Sequence, residues 1–197
     1  MNNKSKIMNY ARRRGTIRPK DVESIGIPRL ALYRLVRQGE LIRTARGLYS
    51  PVAFDPAEHH TSVEVTVAIP KAIICLLSAL QFHDLTTQMP NRVWVAIDRK
   101  ARKPRTSLPV TIVRFSGESL IDGIETHTVE GVDLRVTTPA KTVADCFKYR
   151  NKIGIDVAIE ALSDCIKRRK ATRDEIWRYA KLCRVANVIR PYMEAMS

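Results

Sequence analysis

Apolar positions recur at helical spacing from the start of the chain. Residues 4–14 place Ile7, Tyr10 and Ala11 on one face, and the run stops at Gly15. Thr16 and Ile17 read as a short extended link. Pro19 then opens a second helix over residues 20–25, as proline at a first helical position does, and Gly26 ends it. Pro28 opens a third over residues 29–38, ended by Gly39. In this third helix Leu32, Leu35 and Val36 fall at core spacing. Arg29, Tyr33 and Arg37 fall four apart on another face, with Leu30 and Arg34 beside them. Two short apolar runs, residues 40–44 and 48–50, flank Ala45-Arg46-Gly47 and predict a β-hairpin.

Residues 51–62 carry Pro51, Pro56 and polar side chains, and residues 52–62 read as a linker between a domain at 1–51 and one at 63–197. Residues 63–69 alternate as a strand does, while residues 62–67 also suit the start of a helix, and both readings stay open. Residues 71–82 predict one strongly apolar helix. Residues 93–97 and 110–115 are rich in β-branched side chains, and 126–129 with 132–136 predict a hairpin across Glu130-Gly131. The last third shows four apolar stripes at i, i+3, i+4, i+7. One is capped by Thr138-Pro139, and another is preceded by the capping-box pair Thr172 and Glu175. The expected fold class is α+β: three helices with a hairpin, then a larger mixed α+β domain ending in a helical bundle.

Charge sharpens this picture. The net charge is +14 over 197 residues, and residues 1–51 hold twelve Lys/Arg against Asp21, Glu23 and Glu40, a net of +9. Such an excess favours a polyanionic partner, nucleic acid first and an anionic membrane surface second. No stretch approaches the roughly 18 apolar residues of a membrane span, and the polar, basic N-terminus predicts no secretory leader. Cys75, Cys146, Cys165 and Cys183 stand far apart at apolar helical positions. They read as reduced, buried thiols of a cytoplasmic protein.

Two short helices joined by a tight glycine turn, followed at once by a hairpin, form the pattern of a winged helix-turn-helix. In that geometry the third helix enters the major groove of double-stranded DNA. Arg29, Leu30, Tyr33, Arg34 and Arg37 would then face the bases, with Tyr33 partly in the core. Arginine can bridge guanine O6 and N7, and Leu30 can meet a thymine methyl. Arg43 and Arg46 on the hairpin, with Arg18 and Lys20, are the expected phosphate contacts. The loop bearing Arg99, Lys100, Arg102, Lys103 and Arg105 is a second basic surface, and Lys167-Arg168-Arg169-Lys170 a third cluster. Each also reads as a solvated face. A winged helix that docks a protein or RNA partner, without sequence-specific DNA binding, is the alternative function.

The run from Gly26 to Leu41, G-I-P-R-L-A-L-Y-R-L-V-R-Q-G-E-L, followed by Arg46-Gly47-Leu48-Tyr49, resembles the N-terminal domain of AbiE-type abortive-infection antitoxins, regulators of bacterial type IV toxin–antitoxin systems. That family often has Ser where Pro28 stands here. Leu134-Arg135-Val136-Thr137-Thr138-Pro139-Ala140-Lys141-Thr142-Val143-Ala144-Asp145 is similar to a segment of the same antitoxins' second domain, and Arg190-Pro191-Tyr192 to their end. The resemblance implies a repressor of its own operon, acting at a promoter operator of inverted repeats. It also implies an antitoxin against a nucleotidyltransferase-type toxin, without requiring that the two proteins bind each other. No heptad seam marks a dimer interface, so the expectation is a monomer in solution, or copies that pair on DNA.

An enzyme would need a constellation that the chain lacks. There is no Gly-rich phosphate loop. His59 and His60 with Asp55 and Glu58 lack the spacing of a metal site, so neither a metal nor a cofactor is expected. His83-Asp84 falls at a helix end, and His127 alone in a strand. Asp98 follows a strand, but no E-x-K follows on a neighbour. Lys141 and Asp145 form an i, i+4 pair worth about 0.3 kcal/mol when exposed. The pair reads as structural, with Lys141 joining a basic surface as the other option.

Overall fold

The computed structural model describes residues 2–196, which are mixed α and β and group into two compact units. The first holds the described residues through Lys71, together with Arg102–Leu108 and His127–Leu134. The second holds Ala72–Ala101, Pro109–Thr126 and the residues from Arg135 onward.

The first unit begins with α1 (Asn3–Arg14), α2 (Pro19–Ser24) and α3 (Arg29–Arg37). Both α2 and α3 end in the same way. Gly26 N donates to Glu23 O and Ile27 N to Val22 O, while Gly39 N donates to Val36 O and Glu40 N to Leu35 O. Each glycine adopts a left-handed conformation there, and each pair of bonds satisfies the last carbonyls of the helix. The antiparallel strands β1 (Leu41–Ala45) and β2 (Leu48–Pro51) follow directly. Ile17 makes two reciprocal backbone bonds with Tyr49, which ties the α1–α2 link to the hairpin. Ile7, Ala11, Ile17, Val22, Leu32, Leu35 and Leu41 close one core. Full burial of a leucine or isoleucine contributes about 1.5–3 kcal/mol, so this small core suffices to hold three short helices together.

The boundary expected between residues 62 and 63 lies inside a helix, α4 (His60–Ala68), which clusters with the first unit. Helix is thus the alternative adopted for this segment. The tip of a later hairpin reaches the same unit. Glu130 accepts from Ala57 N at 2.9 Å and meets His60 Nδ1 at 2.8 Å.

In the second unit β3 (Ile73–Ile74) precedes α5 (Leu76–Phe82). The single helix expected over 71–82 is therefore a strand and a shorter helix. The β-branched pair Ile73-Ile74 is claimed by β4 (Val93–Asp98) on one side and later by β7 (Val132–Thr137) on the other, and tertiary pairing overrides the local apolar run. The remaining elements are β5 (Val110–Phe115), α6 (Glu118–Ile121), β6 (Ile124–Val129), α7 (Pro139–Lys148), α8 (Arg150–Ile153), α9 (Ile155–Lys167), α10 (Arg173–Leu182) and α11 (Ala186–Ala195); residues 127–129 of β6 and 132–134 of β7 group with the first unit. The sheet runs β5-β4-β3-β7-β6, with β4 and β5 parallel. Helix α7 is the centre of the unit. Every residue from Ala140 to Phe147 is buried, and α5, α9 and α10 pack around it.

The expected capping box is present at α10. Thr172 Oγ1 accepts from Glu175 N, and Glu175 Oε2 accepts from Thr172 N at 2.7 Å. The bonds that Thr172 N and Thr172 Oγ1 donate to Glu175 Oε2 hold the Glu175 carboxyl below its ordinary range. Thr172→Ala is expected to lower stability by about 1 kcal/mol in urea unfolding, and an unchanged midpoint would show that the cap is dispensable.

Candidate nucleic-acid interface

Helix α3 divides its side chains sharply. Leu32 and Leu35 are buried in the core of the first unit. Leu30 is 64% exposed, and Leu30, Tyr33, Arg34 and Arg37 line one shallow groove of about 350 Å³. A leucine exposed to this degree, framed by two arginines, has no role in the core. Tyr33 is part exposed, and its ring packs edge-on to Tyr49 with centroids 6.2 Å apart, so β2 fixes its direction. Arg29 sits at the start of the helix, with Nε 3.4 Å from Glu23 Oε1 and both side chains largely exposed. A pair of that kind contributes little to stability, and it leaves the guanidinium available.

The other expected contacts divide by their surroundings. Lys20 is exposed on α2, and Arg43 and Arg46 are exposed on the hairpin. Arg18 is not free. Its guanidinium donates to both carboxylate oxygens of Asp21, at 2.8 and 3.0 Å, and to Val67 O at 2.6 Å. Burial raises the Asp21 carboxyl, but the bonds from Arg18 outweigh it and hold Asp21 below its ordinary range. The expectation of a phosphate contact at Arg18 is therefore corrected: this arginine clamps α2 to the end of α4.

The basic loop at 99–105 does not act as one piece. Arg102, Lys103 and Arg105 belong to the first unit, Arg99 and Lys100 to the second, and all five are exposed. In the first unit Arg46 N lies 3.4 Å from Ser107 Oγ, across 61 residues of sequence. Three further cations thus stand on a segment that touches the hairpin tip. No local spacing in the chain announces this proximity.

The Thr137-Thr138-Pro139 segment builds an interior polar network. Thr138 caps α7, and Thr142 Oγ1 donates to Thr137 O and Thr138 O. Lys141 and Asp145 are both fully buried and pair at 2.5 Å. Lys141 Nζ also stands 4.5 Å from the centroid of the Phe115 ring. The alternative that placed Lys141 on a basic surface is overturned, and the exposed-pair magnitude does not apply. Burial raises the Asp145 carboxyl, against the pull of Lys141, while burial together with Asp145 pushes the Cys183 thiol up to about 12. Cys183 donates to Asp145 Oδ1 at 3.2 Å, so the pair's remaining acceptor is filled.

All four cysteines are free and buried. His60 is engaged with Glu130, and His83 Nε2 lies 2.7 Å from Thr137 O. Among the described residues no three His, Cys, Asp or Glu side chains cluster as a metal site would require, and no helix is long and apolar enough to cross a membrane.

Residues 5–52 match the family described as transcriptional regulator, AbiEi antitoxin. The matched segment is the three-helix and hairpin portion of the first unit. No curated protein gives a significant match to the chain.

Proposed function

We propose that residues 2–51 form a winged helix-turn-helix that binds a specific operator in double-stranded DNA and represses the chain's own operon. The observation that carries this reading is the exposed face of α3. Leu30, Tyr33, Arg34 and Arg37 present two guanidiniums, a ring and an apolar tip on one helix, directly before a hairpin bearing Arg43 and Arg46. Major-groove readout uses these groups: bidentate arginine on guanine and an apolar contact on thymine. Lys20, Arg43 and Arg46 contact phosphates, and Arg102, Lys103 and Arg105 lengthen that track beside the hairpin. The match over residues 5–52 supports a DNA-binding antitoxin regulator.

The antitoxin role follows as part of the same proposal. The chain counteracts a nucleotidyltransferase-type toxin encoded in its operon, through its second unit, and copies of the chain pair on inverted repeats. A reporter driven by the chain's upstream region tests the regulatory half. Wild-type protein silences the reporter, and single side-chain changes on α3 relieve silencing. A reporter indifferent to the protein would reject the proposal.

The added loop cations have their own signature. Lys103→Ala with Arg105→Ala is expected to weaken binding to operator and scrambled DNA alike. Each lost phosphate contact reduces the slope of log K against log salt by about 0.9. An unchanged slope would remove the loop from the interface.

A further inference from the structure

The second unit contains a larger cavity, about 640 Å³, lined by Arg99, Ser116, Gly117, Glu118, Ser119, Lys148, Leu182, Cys183 and Arg184. Its volume lies within the range of small-molecule sites. Its position in the sheet is informative. β4 ends at Asp98 and β5 at Phe115, the two strands are parallel, and Arg99 and Ser116 are the next residues of each. The cavity therefore opens at the carboxyl ends of adjacent parallel strands, the place where α/β sheets receive ligands.

Three cations enter from three elements: Arg99 after β4, Lys148 at the end of α7 and Arg184 in the turn after α10. All three are exposed, and none forms an ion pair with a described residue. Gly117 contributes an open stretch of backbone. It has φ +57° and ψ −141°, a conformation essentially confined to glycine, and a side chain there would meet nothing within 4 Å. A ligand can approach the main chain closely at that point. Cys183, also in the lining, is buried and donates to Asp145 of the buried pair.

We propose that this cavity binds a small phosphorylated ligand of nucleotide size. The three cations, with the Ser116-Gly117 backbone, take the phosphates. Glu118, the lining's one carboxylate, repels a bare anion but accepts hydrogen bonds from a hydroxyl or amino group on the remainder of the ligand. The charge arrangement thus favours a nucleotide over an inorganic phosphate. All of the lining residues belong to the second unit.

The test is calorimetric titration of the purified full chain with ADP and, separately, with inorganic pyrophosphate. ADP is expected to bind one to one and more tightly than pyrophosphate. Lys148→Ala combined with Arg184→Gly should weaken ADP at least tenfold. Glycine keeps the left-handed backbone at 184 without strain, so this variant should fold, and its far-UV dichroism and melting midpoint verify that. Lys103→Ala with Arg105→Ala should leave ADP binding unchanged. Three outcomes would overturn the proposal: no binding of ADP, ADP binding that the folded double variant retains, or a double variant that loses DNA binding while ADP binds as before. The last would assign these cations to the nucleic-acid surface.

Discussion

Replacing Asp145 with alanine should destabilise the chain by about 3–5 kcal/mol. The variant leaves the Lys141 ammonium fully buried in the centre of α7, with no carboxylate at 2.5 Å and no route to water. It also strips the Cys183 thiol of its acceptor. Removing both charges has a different outcome. Lys141→Met with Asp145→Asn keeps the volume and removes both charges, so it should recover most of the lost stability. Thermal or urea unfolding distinguishes the two. If Asp145→Ala melted within about 1 kcal/mol of wild type, the pair would not be the buried, mutually dependent unit described here. The same comparison bears on function. A stable double variant that still represses would show that this motif supports the fold and takes no part in recognition.

The second large effect is on DNA. Arg34→Ala and Arg37→Ala should each reduce operator affinity by about 1–3 kcal/mol, and the pair together by at least roughly thirtyfold. Both side chains are exposed beside Leu30, outside the core formed by Leu32 and Leu35, so the melting midpoint should scarcely move. The loss should fall mainly on the operator and leave a smaller change on scrambled DNA, because base contacts carry the preference. Lys20→Ala supplies the contrast: it should weaken both equally. Fluorescence anisotropy on the two duplexes measures each case. If the arginine double variant kept its preference for the operator, α3 would not be the element that reads sequence.

Much of the first unit was legible from local signals. Pro19, Gly26, Pro28 and Gly39 punctuate the helices, and the left-handed turns at Gly26 and Gly39 fall where the spacing put them. The separation of Leu32 and Leu35 from Leu30, Arg34 and Arg37 is a consequence of helical period alone. Other features depend on partners distant in the chain, and no window reveals them. Arg18 looked like a free cation until Asp21 and, 49 residues away, Val67 claimed it. Ile73-Ile74 looked helical because the strands beside it come later in the sequence. Lys141 and Asp145 read as a structural pair from their spacing, but that spacing fits an exposed setting as well as a buried one, and only packing by Phe115 and the surrounding helices decides. The cavity at the ends of β4 and β5 gathers Arg99, Lys148 and Arg184 from three separate regions, and no spacing rule connects them.

Recognition of a particular DNA sequence by α3 and the hairpin is open to direct measurement. A mobility shift of the purified chain on its own upstream DNA and on scrambled DNA of equal length, across a salt series, tests it most directly. Tight binding that prefers the upstream sequence is expected, with affinity falling steeply as salt rises. Weak binding of equal strength to both duplexes would contradict it, and would leave the positive charge of the first unit to a partner other than an operator.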